Sequence, residues 1–492
     1  MASKENSVRQ TAAEKPCIIR PMSHFLPEHL SSQGSIGAVH DVFHRGVALT
    51  VLEHPMLQVG ILDEDSALPS WIQLDIVDLS AHIEWKEVKS SDDYDVELQK
   101  EIRRQLDTWF VNVESQPGWR ISVLRPEQSL NSLDVIFCWN HANLDGVAGK
   151  ILHQTLLPNL NDPRVKAELP SLKGTVLQLE SVADRFPPPP EQLVEIPISL
   201  YYAASTIWKE LKPPFLATND ATQATWAPIR QEPYRTVFRT FSIDDATLKN
   251  VVGACRKHKT TITGLLHALP LASLAVQLAE GKEHHKEEAN AMHAITALDI
   301  RRFMPTKPEG YPWHVPGKTI DNQMSLCDHT FDAKLVADIR SKARDASSDD
   351  ETMARLEDIV WSAAARSREE IQQKLDQRMS NDPLGLMKFV KDWRAQKKSQ
   401  LKKPRVGAWG VSNLGVLDGD VEGDGWRIER AVFQLSCELT SPVFHISSIS
   451  VKDKELCVDV SWQEGIIDVA VGEKLASDIE AWMRFLGARL AV

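Results

Sequence analysis

His141, Asp145 and Gly146, within His141-Ala-Asn-Leu-Asp145-Gly146, are the side chains of this chain best placed to do chemistry. A neutral imidazole, with a pKa of about 6.5, can take a proton from a hydroxyl or an amine near neutral pH, provided it is held in a fixed, partly desolvated position. The aspartate adds a negative charge. The glycine adds a position without a Cβ, where backbone or substrate can pass closely, or simply a turn. The preceding residues supply the fixed position. Val135-Ile136-Phe137-Cys138-Trp139 is an unbroken apolar run bounded by polar residues, which predicts a strand buried on both faces. The residues after Gly146 predict a helix, so the three side chains form a candidate catalytic loop between the two.

Other elements must build the frame for that loop. A helical pattern (Val42, Phe43, Val47, Leu49) and a short strand near Leu57–Leu62 precede it, and Trp119–Leu124 alternates as a second strand. Phe186-Pro-Pro-Pro-Pro190 excludes helix and central strand. Glu191–Leu211 reads as one helix, and residues 212–233, rich in Pro, Thr, Ala and Asn, read as a linker. Beyond it, Tyr234–Phe241 alternates as a strand, with Ser242 and Asp245 as cap and first turn of a helix. Thr260–Ala279 predicts a helix and Ala294–Leu298 a strand. Residues 335–380 predict surface helices, and Val443–Ile449 with Leu456–Trp462 a hairpin. A last helix, Glu473 to about Leu490, carries Leu475, Ile479, Trp482, Met483, Leu486 and Leu490 near one face, which predicts burial rather than membrane contact.

Composition narrows the class. A chain of 492 residues with 42% hydrophobic residues can bury a sizeable core in two domains or one bilobal fold. A net charge of -12, without a long basic stripe, argues against a nucleic-acid surface. Lys397, Lys398, Lys402, Lys403 and Arg405 form a local basic patch, either a solvated loop or a phosphate contact. The six cysteines show no paired spacing, and Cys138 and Cys437 lie in apolar runs as buried thiols. No signal core and no membrane-spanning stretch is visible, which points to the cytosol. There is no G-x-S-x-G elbow and no Walker A loop, and Gly419, Gly423 and Gly425 lie among acids that would repel a phosphate. No metal site is expected: His284-His285 sits in a solvated charged run, and His141, Asp145 and His153 would need helical geometry that Gly146 opposes.

HxxxDG after a buried strand resembles the signature of the CoA-dependent acyltransferase superfamily, which includes BAHD enzymes, chloramphenicol acetyltransferase and nonribosomal condensation domains. The run HANLDGVAGKILHQTLL, His141 to Leu157, is similar to the fungal alcohol acetyltransferase branch, in which a small residue, Lys and a Phe- or Leu-His pair follow the DG. Gly410-Val-Ser412-Asn413-Leu-Gly415 resembles that branch's SNLG strand, and His54-Pro55-Met56-Leu57 the superfamily's HP-x-L element. Two departures limit the likeness. Asn140 replaces the first His of the condensation-domain HHxxxDG, and Trp409-Gly410 lacks the Asp and Phe of the BAHD DFGWG element.

The resemblance implies an α/β fold of mixed sheets and helices, in two chloramphenicol-acetyltransferase-like lobes around a central tunnel. With the punctuation above, it divides the chain into a disordered segment 1–16, an N-terminal lobe 17–211, a linker 212–233 and a C-terminal lobe 234–492. It implies an O-acyltransferase, a monomer moving an acyl group, acetyl first, from acyl-CoA to the hydroxyl of a small fungal secondary metabolite or fusel alcohol. His141 would be the general base, and the acyl group would never rest on the enzyme. Asp145 would pair with Arg301 of Asp299-Ile-Arg301 (Arg302 second) and hold the loop, the alternative being a dyad with His141. Ser412 and Asn413 are either turn residues or donors for the oxyanion and tunnel wall on the CoA side. Two other functions stay open: N-acylation of an amine, and a CoA-independent cyclase or isomerase using the same histidine.

Overall fold

The computed structural model describes residues 16–25, 36–89, 93–127, 132–211, 221–279, 289–421, 425–440 and 442–489. Residues 1–15 of the expected N-terminal segment, 212–220 of the expected linker, His284-His285, Gly423 and Leu490 lie outside the described residues.

Two 6-stranded sheets organise the chain. In the first, Ser132–Asn140 is central, antiparallel to Pro16–Phe25 on one side and to Trp119–Pro126 on the other, with Ile83–Val88 beyond. Each face of the central strand is covered by a helix layer, which is why its apolar residues run without alternation. Val135, Phe137 and Trp139 join the core under helices Ile36–Glu53 and Gly146–Asn161. Ile136 and Cys138 join a separate cluster with Ile102 and Leu106 of helix Tyr94–Asp107. Short strands from much later in the chain, Arg427–Ile428 and Val432–Leu435, complete this sheet by pairing with Pro16–Phe25.

The second sheet runs Thr236–Ile243, Leu456–Gln463, Phe444–Val451, Trp409–Leu417, Met292–Asp299, Met324–Phe331. Its inner strands Phe444–Val451, Trp409–Leu417 and Met292–Asp299 are parallel. One face is apolar: Trp409, Val411, Phe444, Ile446, Val458, Val460 and Trp462 share a core with residues of helices Asp245–Lys257, Ile262–Gln277, Asp349–Asp376 and Val469–Ala488. Along the last of these, Leu475, Ile479, Trp482, Met483 and Leu486 are buried, the reading that its apolar stripe predicted.

Four local expectations are corrected. Glu191–Leu211 is not one helix but two, Pro190–Leu193 and Leu200–Leu211; Pro197, which lacks a backbone N–H, lies in the break. The strand expected to end near Phe241 continues to Ile243, so Asp244, not Ser242, caps the following helix by accepting from Thr247 N. Ser412 and Asn413 lie inside strand Trp409–Leu417 rather than in a turn. Arg405 is neither solvated nor a phosphate contact: it is buried, donating to the carbonyls of Ala227 and Glu438, both at 3.1 Å. Cys138, Cys255, Cys327, Cys437 and Cys457 are buried thiols outside any disulfide.

Candidate active site

The loop after Asn140 is held by its own polar atoms. Asn140 Oδ1 accepts from Ala142 N at 3.0 Å, Asn143 N donates to Asn140 O at 3.0 Å, and Trp139 Nε1 donates to Leu144 O at 2.9 Å. Asn140 thus shapes the turn that carries His141. Asp145 then caps helix Gly146–Asn161, its Oδ1 accepting from Ala148 N at 2.8 Å, so one side chain ends the loop and starts the helix.

Asp145 also fastens this loop to the second sheet. Arg301 lies in the short 3-10 turn Ile300–Phe303 that follows strand Met292–Asp299. It grips the Asp145 carboxylate with both guanidinium nitrogens, Nη1 to Oδ2 at 2.8 Å and Nη2 to Oδ1 at 3.1 Å. Gln323 N donates to Asp145 Oδ2 at 2.7 Å. Arg301 Nη2 also reaches Asp321 Oδ1 at 2.5 Å and Asp321 O at 2.9 Å, and His314 Nε2 lies 2.8 Å from Asp321 Oδ2. All four side chains are buried: Asp145 3%, Arg301 3%, Asp321 2% and His314 1% exposed. Burial alone would raise the Asp321 carboxyl, but Arg301 and His314 outweigh it and hold it below the ordinary value. Burial disfavours the Arg301 cation, and Asp145 and Asp321 more than restore it. None of the four hydrogen bonds to Asp145 comes from His141.

His141 is partly exposed, and its contact with the second sheet is a neighbour of that cluster. Asn322 Nδ2 donates to His141 O at 2.6 Å and lies 3.5 Å from His141 Nδ1. The first bond anchors the backbone, while the second contact is too long to dictate which ring nitrogen holds the proton. Sequence reasoning missed Asp321-Asn322-Gln323, which as a unit touches Asp145, Arg301 and His141. The sequence carries little signal for it: three adjacent polar residues before the alternating strand Met324–Phe331 read as surface, and only the fold buries all three.

The two sequence motifs meet. Lys150 Nζ, one turn into the helix, donates to Leu414 O at 3.0 Å within the Ser412–Gly415 segment, and burial lowers its pKa against the pull of Asp299. A Cβ on Gly146 would stand 2.9 Å from Leu414 Cδ2 and 3.0 Å from Phe433 Cζ. Gly146 therefore serves close approach rather than a turn conformation. Ser412 and Asn413 pair in register with Ser447 and Ser448 of the neighbouring strand. Asn413 Nδ2 donates to Thr263 Oγ1 at 3.2 Å, and its Oδ1 accepts from Gly415 N at 2.8 Å, where φ is +68°. Asn413 thereby shapes the bulge before Val416, with both ends of its amide engaged. His153 is fully buried in helix Gly146–Asn161, its ring edge-on to Phe137 at 6.2 Å, far from a ligand role beside His141. Among the described residues no cluster of His, Cys, Asp and Glu could hold a metal ion, and no helix is long and apolar enough to cross a membrane.

Comparison with known proteins bears on the family and the fold. The family model for alcohol acetyltransferase matches residues 84–477. A probable alcohol acetyltransferase, FCK4, of Fusarium pseudograminearum (strain CS3096) is 27% identical over 447 residues, covering 90% of this chain and 85% of that protein. Among solved structures, TRI3 trichothecene 15-O-acetyltransferase from Fusarium sporotrichioides matches with a TM-score of 0.69 at 12% identity, over 97% of this chain and 92% of its own. The condensation domain of the Monacolin K polyketide synthase MokA matches with a TM-score of 0.56 at 9% identity, over 100% and 96%. At such identities the structural likeness speaks for the fold.

Proposed function

Because the chain belongs to the alcohol acetyltransferase family and is an acyltransferase, we propose that it moves the acetyl group of acetyl-CoA directly onto a hydroxyl of a small fungal secondary metabolite, with His141 as the general base. The single observation that carries the reading is the cross-sheet clamp on residues 141–146. A loop from the first sheet presents its histidine at the seam, while Arg301, Asp321, Asn322 and Gln323 from the second sheet hold the loop. A base held in this way can take the hydroxyl proton as the alcohol oxygen attacks the thioester carbonyl. The C–O bond forms, the C–S bond breaks, and the thiolate of CoA leaves with the proton that His141 returns. In this reading the lobes are residues 17–211 and 234–492, and the two substrates approach from opposite faces to meet at His141. Asp145 holds position rather than relaying charge.

The test is release of free thiol from acetyl-CoA by the purified protein against a panel of alcohols and amines, beside His141→Ala. Release that depends on an alcohol and falls by about 10²–10⁴-fold in the variant is the expected outcome. Release that depends only on amines would reassign the acceptor. Turnover of an alcohol unaffected by the substitution would remove His141 from the mechanism.

A further inference from the structure

Strand Phe444–Val451 divides its side chains between two environments. Phe444 and Ile446 belong to the core beneath the second sheet's helices, whereas Ile449 and Val451 belong to the first sheet's core, with Trp139, Leu144, Ala148 and Phe433. Side chains two apart share a face, so the residues on the seam face are His445, Ser447, Ile449 and Val451. His445, at the end of that face away from Ile449 and Val451, is partly exposed. Ser461, its register partner on Leu456–Gln463, donates to Leu435 O at 2.8 Å. Neither the enclosed Nε2 of His445 nor the hydroxyl of Ser447 meets a hydrogen-bond partner. An enclosed polar atom without a protein partner costs stability unless a ligand or an ordered water completes it.

We propose that His445 is a substrate-contacting residue of the reaction chamber and that it recognises a hydroxyl of the acceptor other than the one being acylated. The inference rests on the acyl-transfer reading above and names its acceptor class: diols and more highly hydroxylated molecules rather than simple alkanols. The ring is close enough to the loop for His141 to act on it. Burial, then Arg405, then His141 lower its pKa to about 4, so at neutral pH it is uncharged and cannot serve as a cation for phosphate. An uncharged imidazole has one nitrogen that donates and one that accepts. A hydroxyl, donor and acceptor at once, completes Nε2 in either tautomer, which an ether, a carbonyl or an ammonium group cannot do.

Cyclohexanol against cyclohexane-1,3-diol and cyclohexane-1,4-diol, with wild type, His445→Leu and His445→Gln, tests this in two arms. One arm reads kcat/KM with acetyl-CoA, and the other reads binding by calorimetry without it. Wild type should favour a diol by about tenfold or more, since leaving a buried polar group unpaired is strongly discriminating. In His445→Leu the preference should fall to about 2, the statistical factor of two equivalent hydroxyls, and His445→Gln should keep part of it. The unfolding midpoint of His445→Leu should stay level or rise, because an unsatisfied polar atom has been removed. A lowered midpoint marks a structural histidine and overturns the proposal, as does a diol preference that is absent in wild type or persists in His445→Leu. If wild type acylates nothing, the acyl-transfer reading has failed, and the calorimetric arm still decides whether His445 binds a hydroxyl.

Discussion

Asp145→Asn separates two roles that the HxxxDG motif leaves open. The Asp145 carboxylate accepts four hydrogen bonds, from Ala148 N, Gln323 N and two nitrogens of Arg301. An asparagine has one oxygen. If that oxygen takes the Oδ1 position, it keeps Ala148 N and Arg301 Nη2, and its NH₂ group then faces Gln323 N and Arg301 Nη1, donor against donor. The reverse orientation orphans the other two. Two buried donors left unpaired cost about 1–3 kcal/mol each, which agrees with the roughly 3–5 kcal/mol expected for breaking a buried ion pair from one side. A native state worth about 5–15 kcal/mol survives this, but barely. Urea unfolding should therefore show a loss of about 3–5 kcal/mol, while thiol release by the folded fraction falls only about 10–100-fold through a loosened loop. A dyad aspartate behaves in the opposite way, with kcat falling about 10⁴-fold and the fold intact. An unfolding curve that superposes on wild type, together with such a fall in kcat, would refute the positioning role.

Asn322→Ala removes the 2.6 Å bond to His141 O, and kcat should drop about 10–100-fold with KM for acetyl-CoA little changed. An unchanged kcat would show that the loop holds His141 without it. Gly146→Val drives side-chain carbon into Leu414 and Phe433, so thermal unfolding should reveal a loss of about 1–3 kcal/mol; an unaltered midpoint would deny the close approach. Acid should destabilise the fold through its buried histidines. His54, whose Nε2 lies 2.9 Å from Thr155 Oγ1, is lowered by burial from 6.5 to about 4, so the unfolded chain takes up a proton that the folded one refuses. Stability fully present above pH 6.5 is therefore lost as pH falls towards 4, by up to about 3 kcal/mol for this group alone. His267, pushed well below its ordinary value by burial and by His329, acts in the same direction. Urea unfolding at pH 8, 6 and 4.5 checks the sign, and a flat response would contradict it.

What could be read along the chain depended on how far apart in sequence the relevant atoms lie. His141, Asp145 and Gly146 fall within six residues at the end of an apolar run, so strand, loop and helix follow from local pattern alone. The Asp145–Arg301 pair spans 156 residues and was visible only through resemblance, because nothing in spacing reports a contact made across two sheets. Asn322, 181 residues from His141, had no such guide. Ser412 and Asn413 were half legible: glycines at both ends suggested a turn, but pairing with the parallel neighbour Phe444–Val451 extends the segment as a strand. The same distance explains the energetics. First-sheet residues place the histidine, second-sheet residues hold the loop, and Arg301 bridges Asp145 to Asp321 in the buried ground between them. Breaking that bridge from the Arg301 side leaves two buried carboxylates where Asp145→Asn leaves two donors. Arg301→Met should therefore cost more stability than Asp145→Asn, and an order reversed in urea would mean that the clamp does not carry the seam.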